Sequence, residues 1–183
     1  MSSVLMAGFG GQGMLLAGKV LAQAAMRSGL EVSWLPSYGP EMRGGTANVI
    51  VCMSKGPIAS PLVSRPDVLL AMNLPSLDRF EGKVMAKGTI VVNTTLVARA
   101  PARGDCRVVR VDSRALALAA GNERAANFVM LGAYVGATDA VPAIAVEEAI
   151  AEEFREGKEK HVATNVAAFR AGLEAGRAAE VHA

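Results

Sequence analysis

The 183-residue chain reads as an α/β protein of Rossmann-like type, a mostly parallel sheet flanked by helices with a helical C-terminal part. Three observations predict this class. Gly8-Phe9-Gly10-Gly11-Gln12-Gly13 follows a short apolar run, residues 4–7, and opens a long apolar-rich segment, residues 14–28, which is the order strand, tight turn, helix. Short β-branched runs then alternate with helical segments, the pattern of a parallel sheet. Ala, Val, Leu, Met and Gly supply the apolar content while aromatics make up only 4% of the chain, as expected where helices pack closely on buried strands.

In the first unit the glycines permit positive φ and close backbone approach, and the first free N–H groups of the following helix point into the turn. An anion can bind there. Gly8, Gly10 and Gly13 match the spacing of the dinucleotide-binding fingerprint, yet one part of that site is missing. A ribose-holding Asp or Glu belongs at the end of the second strand, about 20 residues on. The second strand is expected over residues 31–35, which puts Glu31 at its wrong end, and Pro36-Ser37-Tyr38-Gly39-Pro40 follows. Ordinary NAD binding is therefore a minor reading beside a site for some other phosphate-bearing group, or a turn needed only for packing.

Residues 36–45 are dense in Pro, Gly and hydroxyl side chains and carry Glu41 and Arg43. If strands one and two are neighbours, this loop and the glycine turn both leave carboxyl ends of adjacent strands and meet at one sheet edge. Residues 46–53 are strongly β in character and end at Ser54-Lys55-Gly56-Pro57. Residues 68–72 form a buried-type strand, followed by Asn73-Leu74-Pro75 and a brief helix to about Phe80, stopped by Gly82. Residues 89–93 and 107–111 are two further strands joined by a polar connection. Asp112 or Ser113 caps a helix over residues 114–120 with Gly121 at its end. Helices then take over at residues 128–136, 146–156 and 161–179, and in the last of these Val162, Val166, Phe169 and Leu173 share an apolar stripe. With no internal repeat and no low-complexity linker, residues 1–183 are read as a single domain.

Composition excludes several classes. A formal charge of +2 is too small to argue for nucleic acid or an anionic membrane. No apolar run approaches the roughly 18 residues of a membrane span, and the N-terminus lacks a signal-peptide pattern, so a cytoplasmic location is expected. Cys52 and Cys106 are isolated and read as buried thiols, while His161 and His182 read as a solvated helix residue and a tail residue. No nucleophile elbow, paired carboxylates or triad-like histidine stands out, and Lys19 lies too far along the first helix to serve as a Walker lysine. A site-like face without chemistry of its own points to a subunit.

The glycine turn, the block Ser37-Tyr38-Gly39-Pro40-Glu41-Met42-Arg43-Gly44-Gly45-Thr46-Ala47-Asn48, and Asn127-Phe128-Val129-Met130-Leu131-Gly132 together resemble the gamma subunit of 2-oxoacid:ferredoxin oxidoreductases over nearly the whole chain. The twelve-residue block is the most specific piece. The resemblance implies a complex that decarboxylates a 2-oxoacid, with 2-oxoglutarate favoured, on thiamine diphosphate and Mg. Electrons pass through [4Fe-4S] clusters to ferredoxin, and an acyl-CoA and CO2 are released. It implies that those cofactors sit on partner alpha and beta subunits and a ferredoxin-like delta subunit, and that this chain holds none of them alone. The gamma subunit serves assembly and closure over CoA. Ligand-binding or interface roles fall on Gly8, Gly10, Gly11, Gln12, Gly13, Ser37, Tyr38, Glu41, Arg43, Gly44, Gly45 and Asn127, and no catalytic residue is implied. Three alternatives stay open: an indolepyruvate-type subunit, an independent nucleotide-binding α/β enzyme and a purely structural assembly module.

Overall fold

The computed structural model describes residues 1–38, 46–155 and 159–179. Strands β1 (Ser2–Phe9), β2 (Glu31–Tyr38), β3 (Thr46–Ser54), β4 (Val68–Ala71), β5 (Thr89–Asn93) and β6 (Arg107–Val111) form one sheet in the order β2-β3-β1-β4-β5-β6. Helices α1 (Met14–Arg27), α2 (Leu74–Phe80), α3 (Ser113–Ala119), α4 (Ala126–Thr138), α5 (Ala143–Glu153) and α6 (Val162–Ala178) complete the chain.

From β1 to β6 the sheet is parallel, whereas β3 lies antiparallel to both β1 and β2. The expected adjacency of strands one and two is therefore corrected: β3 is inserted between them. Strand β2 also runs three residues further than predicted, to Tyr38, because Pro36 and Ser37 keep pairing with Val49 and Asn48. As the edge strand, β2 tolerates a proline that a central strand would not.

Alternating strand residues build two cores. Val4, Met6, Val51, Leu70 and Val91 face α1 and α4 and belong to the larger cluster. Leu5, Leu69, Ile90 and Val92 face α2 with Leu77, Phe80 and Val97. Both faces being covered, the parallel strands are near-continuous apolar runs, and each fully buried large side chain stabilises by about 1.5–3 kcal/mol. Since α1 leaves β1 towards one face and α2 leaves β4 towards the other, the crevice above β1 and β4 is where the connections diverge, and open α/β sheets place ligands there.

The C-terminal helices owe their packing to four glycines. A Cβ at Gly132 or Gly136 would strike the carbonyl oxygen of Phe169 or Leu173, and one at Gly172 or Gly176 would strike that of Val129 or Ala133. The pairs rise together in number, so α4 and α6 run parallel with their backbones in contact. Arg107 donates to the carbonyls of Ala137 and Ala179, joining both helix C-termini to β6. Of the predicted stripe, Phe169 and Leu173 are buried, while Val162 and Val166 are only half-buried. The face against α4 is set by Ala168, Gly172 and Gly176 instead.

Candidate functional site

The glycine turn sits at the carboxyl end of β1. The Gln12 N–H donates to Phe9 O at 3.1 Å and closes the turn, with Gly11 at φ 98° and Gly13 at φ 75°. Both angles lie in the left-handed region, and Gly13 is the N-cap of α1 in that conformation. A Cβ on Gly13 would lie 2.7 Å from Asn127 Nδ2, so the missing side chain also lets α4 approach.

The turn is held by carboxamides. Gln12 Oε1 accepts from the Phe9 N–H (2.6 Å) and from Asn73 Nδ2 (2.9 Å), and Asn73 Oδ1 caps α2 through Ser76 N (3.0 Å). Asn127 Nδ2 donates to Gly13 O at 3.2 Å. At the next strand end, Asn93 Nδ2 donates to Met72 O, and Asn93 Oδ1 accepts from Thr95 N and Ser113 Oγ. Asn73, Asn93 and Asn127 are almost wholly buried, and their paired groups make the rim above β1, β4 and β5 rigid.

Above this rim lies a cleft of two adjoining cavities. One, of about 300 Å³, is lined by Gly11, Gln12, Asn127, Phe128, His161 and Asn165 among others. The second, of about 520 Å³, runs over Met72, Asn93, Ser113 and Arg114. Gly11, Gln12 and Arg124 border both. Neither α1 nor α4 has a side-chain cap; α1 opens directly from the glycine turn, whereas α4 continues a 3-10 turn over Glu123–Ala125. A third, apolar groove of about 540 Å³ lies on the β3 side of the turn, lined by Phe9, Leu15, Leu16 and Trp34.

Of the predicted site residues, Gly8, Gly10, Gly11, Gln12, Gly13 and Asn127 converge on this turn. Ser37 is exposed near the end of β2, in one row with Asn48 and Ala7, so it stands two strands, roughly 10 Å, from β1. Tyr38 pairs with Ala47 in the next row, level with Gly8. Glu41, Arg43, Gly44 and Gly45 lie outside the described residues. The strand order adds a reason against a ribose contact from β2: on that side the strand next to β1 is β3, which presents its amino end, Thr46, at this edge.

Sequence reasoning missed Asn73, Asn93, Asn122, Arg124 and Asn165. The signal was present, since Asn73 and Asn93 each stand at the carboxyl end of an apolar run and Asn165 interrupts an apolar helix face. His161, expected to be solvated, is half-buried and lines the smaller cavity. Cys52 and Cys106 are buried as expected, and burial pushes both thiols up. Lys19 is engaged with Glu153 at 2.7 Å. Asp112 caps α3 through Ala115 N, and that N–H together with the Thr95 hydroxyl holds its carboxyl below the usual range.

The fold and the site define an α/β domain whose rigid glycine turn opens into a cleft at the carboxyl end of the sheet. Residues 3–175 match the pyruvate ferredoxin/flavodoxin oxidoreductase family, and the chain belongs to it. It is 42% identical over 178 residues to the ketoisovalerate oxidoreductase subunit VorA of Methanothermobacter thermautotrophicus, covering 93% of this chain and 35% of the relative. The chain thus spans about a third of that relative's length. The 2-oxoglutarate synthase subunit KorC of the same organism is 38% identical, with 93% of each chain covered. Among solved structures, the gamma subunit of a keto/oxoacid ferredoxin oxidoreductase from Geobacter sulfurreducens PCA superposes with a TM-score of 0.83 at 31% identity, covering 96% of this chain and 98% of that one. The 2-oxoglutarate:ferredoxin oxidoreductase of Magnetococcus marinus, with 2-oxoglutarate, coenzyme A and succinyl-CoA bound, shares the fold with a TM-score of 0.88 at 23% identity, covering 98% of this chain and 32% of that one.

Proposed function

We propose that the chain is the gamma subunit of a cytoplasmic 2-oxoacid:ferredoxin oxidoreductase that releases an acyl-CoA. The observation that carries this reading is the glycine turn: it is locked from below by Gln12, Asn73 and Asn127 and left open to a cleft above, a built binding face in a chain of this family. The substrate is 2-oxoglutarate or a branched-chain 2-oxoacid, with 2-oxoglutarate favoured; the two relatives described above are named for 2-oxoglutarate and ketoisovalerate. Thiamine diphosphate, its Mg and the [4Fe-4S] clusters belong to partner subunits, through which ferredoxin is reduced. This chain contributes assembly and closure over CoA.

The role assigned to Ser37, Tyr38, Glu41, Arg43, Gly44 and Gly45 is a contact made in the assembled complex, with the CoA or with a partner subunit. Arg43→Ala separates the two. A raised KM for CoA in an intact complex marks a ligand contact, loss of the complex on a sizing column marks an interface contact, and wild-type assembly and kinetics would remove the loop from the site.

The reading as a whole is tested by purifying a tagged form of the chain from its own host. Co-elution with subunits carrying thiamine diphosphate and iron–sulfur clusters is expected, together with slowed hydrogen exchange at Gly11 and Gly13 when CoA is added to the complex. Elution of the chain by itself, with 2-oxoacid oxidation in other fractions, would refute it.

A further inference from the structure

Strand β2 is one edge of the sheet, and the parity of the ladders fixes which of its backbone groups face outward. The Ser3 N–H donates to Asp67 and Ala7 O accepts from the Met72 N–H, so the odd-numbered residues of β1 turn their backbone groups to the β4 side. The even-numbered residues of β1 therefore bond β3, through the pairs Val4–Val51, Met6–Val49 and Gly8–Ala47. The intervening residues of β3, Asn48, Ile50 and Cys52, bond Ser37, Leu35 and Ser33 of β2. What remains on the outer side is the N–H and C=O of Val32 and Trp34, and no hydrogen bond among the described residues reaches them. Pro36, which has no N–H, faces the same way and bounds the open stretch.

The two edges of the sheet differ in how they are guarded. At the far edge β6 has five residues and carries Arg110 exposed in mid-strand, the kind of charge that blocks strand addition. Strand β2 has eight residues and no charge after Glu31. Its flank on the helical face is apolar as well. Trp34 is 41% exposed and shares a groove with Leu15, and Leu15, Ala22 and Met26 lie along one line of α1, with Met26 64% exposed. The cationic side chains of α1, Lys19 and Arg27, are turned instead to Glu153 and Glu152 on α5. An open, uncharged edge with an apolar flank is a template for another strand.

We infer that this edge is an interface for a second copy of the chain, with β2 paired antiparallel to its counterpart about a two-fold axis through Ser33. Register and charge select this occupant together. About that axis Val32 of each copy faces Trp34 of the other, and since all four residues turn N–H and C=O outward, each pair exchanges both of its hydrogen bonds. An axis through Leu35 would set Trp34 against Pro36 and lose a donor. On the helical face the pairs join a β-branched side chain to an aromatic one, a favourable cross-strand contact. Glu31 falls opposite Leu35 and not opposite its own counterpart, so no like charges meet. The same axis sets the two α1 helices side by side in opposite directions, which covers Trp34 and Met26. The surface is self-complementary, as an isologous interface requires, and the sheet runs on through both copies. This inference goes beyond the subunit reading and does not rest on the ligand of the cleft.

The test is analytical ultracentrifugation of the purified full-length chain, with hydrogen exchange read at the Val32 and Trp34 amides. A species of twice the 18.9 kDa of one chain is expected, with both amides protected although they lie on a sheet edge. Val32→Pro removes an outward N–H and leaves the β3 ladder intact, so it should raise the dimer dissociation constant about tenfold or more with an unchanged circular dichroism spectrum. Trp34→Lys, which guards the edge with charge, should act in the same direction. Ser33 lies on the axis in a close, non-hydrogen-bonded pair, so Ser33→Cys should cross-link to its own counterpart under mild oxidant, in a chain that also carries Cys52→Ala to remove the thiol beside it. A monomer at every concentration, or a dimer unchanged by folded Val32→Pro and Trp34→Lys, would overturn the inference. A dimer in which Ser33→Cys fails to cross-link would overturn the register. A monomeric chain whose Val32 and Trp34 amides become protected only on adding partner subunits would also overturn it, because a strand of another protein would then hold the edge. None of these outcomes bears on the cleft or on the subunit assignment.

Discussion

At the scale of single residues, Gly13 meets two separate demands, since it holds a left-handed φ of 75° and leaves room for Asn127 against its carbonyl. Gly13→Ala should therefore destabilise by about 2 kcal/mol or more, from left-handed strain and displacement of Asn127. Urea denaturation measures it, and a loss below about 0.5 kcal/mol would show that the turn relaxes at no cost. Asp112 supplies a pH-dependent counterpart. Its carboxyl is held low in the folded chain by Ala115 N and Thr95, so its contribution is complete above the unfolded value of about 4 and disappears as pH falls through the lower folded value. Asp112→Ala should cost about 1 kcal/mol near neutral pH, and the gap in Tm from wild type should close below about pH 4. A gap that stays constant down to pH 2 would contradict the capping role. The glycines of this site are legible in the sequence because backbone conformation restricts residue type so strongly. Asn73, Asn122 and Asn165 are not, because a carboxamide's role depends on partners distant in the chain, 61 positions away for Asn73 and Gln12 and 43 for Asn122 and Asn165.

Elements show a similar division. The strands over residues 89–93 and 107–111 agree with their predicted limits, since β-branched runs bounded by turns leave little choice. Helix starts were less legible: α4 begins at Ala126 and α5 at Ala143, ahead of the apolar residues that marked them, because their caps are backbone turns without a recognisable side chain. Strand order was illegible. Periodicity reports which face a strand buries and not which neighbour it takes, so the insertion of β3 between β1 and β2 could not be read from it. The α4–α6 contact was hidden for another reason, in that glycines within helices look unfavourable until a partner helix is known. Gly172→Ala pushes a Cβ into the Val129 carbonyl and should destabilise by about 2–3 kcal/mol, whereas Gly82→Ala, in open space, should be neutral or stabilising by up to about 1 kcal/mol. Equal effects at the two sites in thermal melts would mean that α4 and α6 are not in backbone contact.

For the whole molecule, the two-layer cover of the sheet and the crevice where α1 and α2 diverge place the glycine turn, Arg124 and Asn165 around one opening, built from segments more than 100 residues apart. The family was legible from motifs, and the match over residues 3–175 bears it out. The turn itself was legible, but the polar residues that line the rest of the opening were not, because they come from α6 and from the turn before α4. No helix among the described residues is long and apolar enough to cross a membrane. The central claim, that this chain serves CoA within a complex whose chemistry lies elsewhere, is tested most directly by reconstitution. The purified partner subunits are assayed for 2-oxoacid-dependent viologen reduction with and without this chain, over a range of CoA concentrations. The account predicts no turnover by the chain alone and CoA-dependent turnover only when it is added back. Full CoA-dependent activity without the chain, or 2-oxoacid oxidation by the chain by itself, would contradict it.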